Sequence, residues 1–94
     1  MGKRVDTPIE LQAVVRDAIG LLSPKVAAAW SYDFDGNSVN FRGPGPQFTV
    51  RDKDGFFTIT YEYSPNKKTT RHYDHETTVR FVLQLFHRPA VGEK

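Results

Sequence analysis

The sequence predicts an α+β domain: an antiparallel four- to five-stranded meander sheet with an N-terminal and a C-terminal helix packed on one face, in the order α-β-β-β-β-(β)-α. Three observations predict it. Asp35-Gly36 and Asp54-Gly55 each interrupt a run of alternating apolar and polar residues. Such pairs are the strongest short-range hairpin signal, because a type I′ turn needs φ > 0 at both central residues. The chain also opens on a helical apolar period, and a second apolar segment bounded by helix signals closes it.

The first helix is expected from Pro8 to about Leu22. Thr7-Pro8-Ile9-Glu10 supplies a capping Thr, Pro at the first helical position and Glu at the third, a capping box. Leu11, Val14, Val15, Ala18, Ile19, Leu21 and Leu22 fall on one side of the wheel, against Glu10, Gln12, Arg16, Asp17 and Gly20 on the other. Ser23-Pro24 ends it, since the residue before Pro avoids the α region.

Four strands follow, near 26–34, 37–42, 47–53 and 56–63. With the Asp-Gly pairs as central turn residues, Tyr32 faces Val39, Trp30 faces Phe41, Val50 faces Ile59 and Phe48 faces Tyr61. Apolar then meets apolar and polar meets polar in both hairpins. Gly43-Pro44-Gly45-Pro46 reads as a stiff connection; its prolines lack the N–H donors of a phosphate cradle, and no helix follows. After the turn cluster 64–68, Thr69–Tyr73 can return as a fifth strand, with Arg71 opposite Glu62.

The last segment is read as a helix over 78–88, with Asp74 as N-cap, Glu76 in the first turn, His87 and Arg88 in the last and Pro89 beyond. Val79, Val82, Leu83 and Phe86 form its main stripe. Phe81 and Leu85 widen the apolar arc to roughly 200°, twice the ~100° that one packed face needs. Two helices of ~10 Å diameter cover about four strands spaced ~4.8 Å apart, so both fit over Trp30, Tyr32, Phe41, Phe48, Val50, Ile59 and Tyr61. The opposite face then carries Ser31, Asp33, Ser38, Asn40, Arg42, Thr49, Arg51, Thr58, Thr60 and Glu62 and reads as hydrated.

The 94 residues suit one domain, 1–94, with frayed ends at 1–6 and 90–94. A chain that is 38% hydrophobic and 13% aromatic is too apolar for disorder. There is no Cys, which excludes disulfides, thiolate metal sites and thiol catalysis. No apolar run reaches the ~20 residues of a membrane span, and Asp6 breaks both signal-peptide and myristoylation patterns, so the cytoplasm is the expected location.

Net charge is +2, but from Lys67 to Arg88 the cations Lys67, Lys68, Arg71, Arg80 and Arg88 outnumber Asp74 and Glu76. Phe81 and Leu85 beside Arg80 and Arg88 have the composition of a protein interface. The primary expectation is therefore a small non-catalytic protein-interaction module, an adaptor, an immunity-type inhibitor or a phage- or mobile-element-type modulator that binds a host protein. A sheet edge or the last helix would also serve to pair two copies as a homodimer.

The alternative is single-stranded nucleic acid on the open sheet face, with Arg42, Arg51, Lys53 and Arg71 toward phosphates. Its weakness is the stacking platform, since the strand parity sends Trp30, Phe41, Phe48 and Tyr61 to the core and leaves Tyr73 and Phe56 outside. His72, Asp74 and His75 have metal-ligand chemistry, but Asp74 and Glu76 serve the helix start and no third ligand is indicated, so no metal and no cofactor are expected. The turn carboxylates Asp33, Asp35, Asp52 and Asp54 lack the burial that tunes a general acid or base, and no serine sits in a nucleophile elbow. No catalytic residue is assigned.

Overall fold

A computed structural model of the chain describes residues 7–63 and 66–88. Among them the elements run α1 (Ile9–Gly20), α2 (Pro24–Ala29), β1 (Ser31–Asp35), β2 (Ser38–Arg42), β3 (Phe48–Asp52), β4 (Phe57–Tyr63), β5 (Asn66–His72) and α3 (His75–Phe86). The five strands form one antiparallel sheet in chain order. The α+β meander is therefore the observed architecture. The tails expected to fray and the Ser64-Pro65 turn lie outside the described residues.

α1 begins one residue later than expected and ends at Gly20. Pro8 occupies the N-cap and no side chain caps the helix; the Thr7 carbonyl instead accepts from Gln12 Nε2 at 2.9 Å. Leu11, Val14, Val15 and Ala18 are buried as the wheel requires, whereas Leu21 lies beyond the helix and is exposed. Ser23-Pro24 does more than stop α1. The Ser23 hydroxyl accepts from the Val26 N–H, Pro24 takes the first helical position, and the alanines carry α2 to Ala29. The strand expected over 26–34 therefore begins only at Ser31, with Trp30 closing α2.

The second hairpin has the expected register, Val50 opposite Ile59 and Phe48 opposite Tyr61. Asp54 and Gly55 both take positive φ, 59° and 119°, as a type I′ turn demands. The first hairpin differs. Its loop is Gly36-Asn37, so Tyr32 pairs with Phe41 and Phe34 with Val39. Gly36 at φ 62° supplies positive φ at the first loop position, and Asn37 Nδ2 ties the turn to the Asp52 carbonyl at 2.9 Å. The slip is two residues, so face assignments survive it. β5 is longer than expected, and Arg71 stands opposite Thr58, not Glu62, which faces Lys67.

Both helices lie on the predicted face. Leu11, Val14, Ala18, Val39, Val50, Ile59 and Leu85 are fully buried between the layers. At one end Phe41 and Phe48 stack at 4.7 Å, Phe86 meets both edge-on at 5.3 and 5.5 Å, and Trp30 meets Phe48 at 5.6 Å and Phe86 at 5.1 Å. The Trp30 indole fills the space under Gly43, where an added Cβ would lie 2.3 Å from the ring. Its Nε1 is buried without a hydrogen-bond partner among the described residues.

The helical layer is narrower than the sheet. Five strands at ~4.8 Å span about 24 Å, against about 20 Å for two helices. α1 packs on β3 and on α3, and α3 reaches β5, so the shortfall falls on β1. Every residue of β1 is exposed, including Tyr32 and Phe34 on the core face.

Candidate interaction surfaces

The four residues expected to form an interface on the last helix do not share a surface. Asp74 caps α3 as expected, its carboxylate accepting from the Thr77 N–H at 2.8 Å and the Thr77 hydroxyl at 2.7 Å. Those two donors hold the Asp74 carboxyl below its ordinary pKa. The buried side is Thr78, Val79, Val82, Leu85 and Phe86. Leu85 is thus fully buried core and offers no contact surface, which corrects its assignment to an exposed rim.

The expected wheel differs from the observed one because Thr78 counts as polar in sequence. In the fold its hydroxyl donates back to the Asp74 carbonyl at 2.7 Å, and the methyl group can then be buried. Phe81 is half-buried, with the Tyr61 ring at 5.6 Å and the His72 ring at 4.9 Å. Arg88 lies over the Tyr61 ring at 5.4 Å, while Arg80 points the other way into an ion pair with Glu76. Partial burial against this layer pushes the His72 imidazole below its ordinary pKa, opposed by the nearby Asp74 charge.

The open sheet face is polar, as the parity implies. Thr49 donates to Asn40 at 2.7 Å, and Thr60 and Thr69 share a hydrogen bond at 2.9 Å. Of the four cations assigned to it, Arg42 stands apart, paired with Asp33 at 3.3 Å. Arg51 and Arg71 flank Thr58 in one cross-strand row, and Lys53 meets Phe56 at the turn. Phe56 and Tyr73 pair at 5.5 Å, and the Arg71 guanidinium lies 5.7 Å from the Phe56 centroid. Arg71 thus lies against the aromatic pair, with Arg51 in the same cross-strand row and the Lys53 backbone at the adjoining turn. The same aromatics also line a cleft of about 340 Å³ whose other walls carry Glu10, Asp52, Asp54 and Asp74. Groups around so small a cleft sit within about one Debye length, ~8 Å, so the local field is mixed.

A second cleft, about 550 Å³, runs between α1 and α3 over Leu21, Val79 and Leu83. His75 Nε2 and Asp17 Oδ2 bridge it at 2.7 Å. His72 bonds to Thr70 at 2.7 Å, so the histidines and Asp74 are directed to separate partners. Among the described residues no group of three or more His, Asp or Glu is arranged to hold a metal ion.

The surface that sequence reasoning missed is β1. Tyr32 and Phe34 are 44% and 39% exposed and meet edge-on at 5.8 Å. β1 pairs only with β2, so its outer edge has no strand neighbour among the described residues. The signal available in sequence was width alone, five strands under two helices. The chain matches no protein-family model, no curated protein and no solved structure.

Proposed function

We propose that this chain is a small non-catalytic protein-interaction module whose docking element is β1. The observation that carries the reading is the pair Tyr32 and Phe34, exposed side by side on a strand whose outer edge is open. Unpaired backbone groups at such an edge recruit other strands; here Asp33 and Asp35 charge one face of the short strand, and the other face carries the exposed aromatics. Aromatic side chains beside an open edge supply contact area with little conformational entropy to lose. The proposal moves the interface from α3 to the sheet edge, because Leu85 is buried and Phe81 is half covered.

A modulator of a host protein, as carried by a phage or mobile element, is the role that fits a module of this size. A cytoplasmic partner belongs to the same proposal. No helix among the described residues is long and apolar enough to cross a membrane. The test is affinity capture from the native host with wild type and with a Tyr32→Asp/Phe34→Asp variant. A partner protein held by wild type and lost by the variant supports the proposal. Equal capture by both removes it.

A second reading has its own observation. The Phe56–Tyr73 pair beside Arg51, Lys53 and Arg71 is a small stacking platform with phosphate-seeking cations. Labelled single-stranded DNA titrated across a salt series tests it. Absence of affinity at low salt, where phosphate contacts are strongest, eliminates it.

A further inference from the structure

Resting on the reading of β1 as a docking edge, we infer that its occupant is an extended segment of alternating basic and apolar residues from another protein, and not a second copy of this chain. Gly36-Asn37 is a two-residue loop, so the flanking Asp35 and Ser38 form a hydrogen-bonded pair. Alternation then directs the backbone N–H and C=O of Asp33 and Asp35 toward β2. Those of Tyr32 and Phe34 are left directed to the outer edge.

A strand added there extends both sheet faces at once. On the helix-side face its residues meet the half-exposed rings of Tyr32 and Phe34, which favours apolar groups. On the open face they meet Asp33 and Asp35. Asp33 shares its charge with Arg42 across a bond whose side chains are 60% and 62% exposed, and the Asp35 carboxylate has no ion-pair partner among the described residues. Residues one apart point to opposite faces, so the required partner alternates basic with apolar.

The chain itself does not meet that description. Pairing β1 with β1 of a second copy about a two-fold axis brings the Asp33 and Asp35 rows of both copies together on one face, with like charges opposed. Pairing β5 with β5 does the same with Lys67 and Arg71. A join of β1 to β5 supplies cations for Asp33 and Asp35, but sets polar residues such as Thr70 against Tyr32 and Phe34. That contact is also heterologous and would build a ring or an open filament, not a two-fold dimer. The carboxylates thus reject self-association while selecting a cationic partner.

The experiment uses the full chain, isotopically labelled, titrated with two synthetic peptides of roughly ten residues, one alternating Lys with Val and the other Glu with Val. The expected result is amide shift changes concentrated at residues 31–35 with the Lys peptide, binding that weakens with salt, and a preference over the Glu peptide of about tenfold or more. Asp33→Lys/Asp35→Lys, at two exposed positions, should reverse the preference without unfolding the domain. Equal binding of both peptides at β1 overturns the charge inference and leaves the docking edge standing. Absence of shifts at 31–35 with either peptide overturns the inference, and the capture experiment then decides whether the docking edge falls with it. A dimer or filament in sedimentation that Phe34→Asp dissolves also overturns it, with a second copy as the occupant.

Discussion

Gly43→Ala tests the packing that holds the sheet end together. Gly43 does not occupy the left-handed region, so its backbone accepts alanine, and such a change alone would raise stability by about 0.4–1 kcal/mol through the unfolded state. The added Cβ, however, would lie 2.3, 2.5 and 2.7 Å from Cδ2, Cε3 and Cε2 of Trp30. Those atoms belong to a rigid indole that is 7% exposed and wedged against Phe48 and Phe86. The ring cannot yield without disturbing both neighbours. Overpacking of this kind costs about 1–3 kcal/mol. The net loss is about 1–2 kcal/mol, or about 4–8 °C in Tm for each kcal/mol in a domain of this size.

Urea unfolding followed by far-UV circular dichroism reads the effect in every variant, including those that lack Trp30, the only tryptophan. Gly20→Ala is the control: nothing lies within 4 Å of its Cβ position, so the urea midpoint should hold or rise. Trp30→Phe in the Gly43→Ala background should recover part of the loss by giving the methyl group room and by deleting the unpartnered indole N–H. An unchanged midpoint for Gly43→Ala, or an equal loss in the Trp30→Phe background, would refute the steric account.

Leu85→Ala should cost about 2–5 kcal/mol in urea unfolding, as a fully buried core leucine does; a change below about 0.5 kcal/mol would return Leu85 to the surface. Asp74→Ala should lower the urea midpoint by removing the acceptor for the Thr77 N–H, and Asp74→Ser should recover most of the loss. Stability should also decline in mild acid. The His72 pKa is depressed below 6.5 in the fold, so the unfolded chain takes the proton first. The contribution is therefore present above 6.5 and lost as pH falls through that value toward the folded pKa. Comparing urea midpoints of wild type and His72→Gln from about pH 8 to about pH 5 checks this, and equal slopes would contradict it.

What the sequence disclosed and what it hid follow from the same periodicities. Alternation has a period of two, so it assigned Phe41, Phe48, Val50, Ile59 and Tyr61 to the core correctly. The same period cannot detect a two-residue slip, which is why Tyr32 was matched with Val39 instead of Phe41. On α3 a polar label on Thr78 turned the wheel, because the hydroxyl bond that allows its burial is invisible until Asp74 is placed as N-cap. α2 escaped notice because Ser23-Pro24 is both a stop for one helix and a start for the next.

Of the expected sites, Arg51 and Arg71 are brought into one row across Thr58 by strand register; the second hairpin makes the Arg51 half legible, whereas the β4–β5 register that places Arg71 there differs from the expected pairing with Glu62. The exposure of Tyr32 and Phe34 was not legible. It depends on how far two helices reach across five strands, a property of the assembled layers and of no single segment.

The strand order also bears on how the chain reaches this state. Each strand pairs only with its neighbours in sequence, so the sheet can grow by zipping from the Gly36-Asn37 and Asp54-Gly55 turns with little loop entropy to overcome at any step. The demanding closure is elsewhere. α1 must return across the finished sheet to meet α3, and the His75–Asp17 contact that seals them joins residues 58 positions apart. A helix pair that closes last on an otherwise local fold predicts that Asp17→Ala, which breaks this contact, speeds unfolding far more than it slows folding, and stopped-flow kinetics check it.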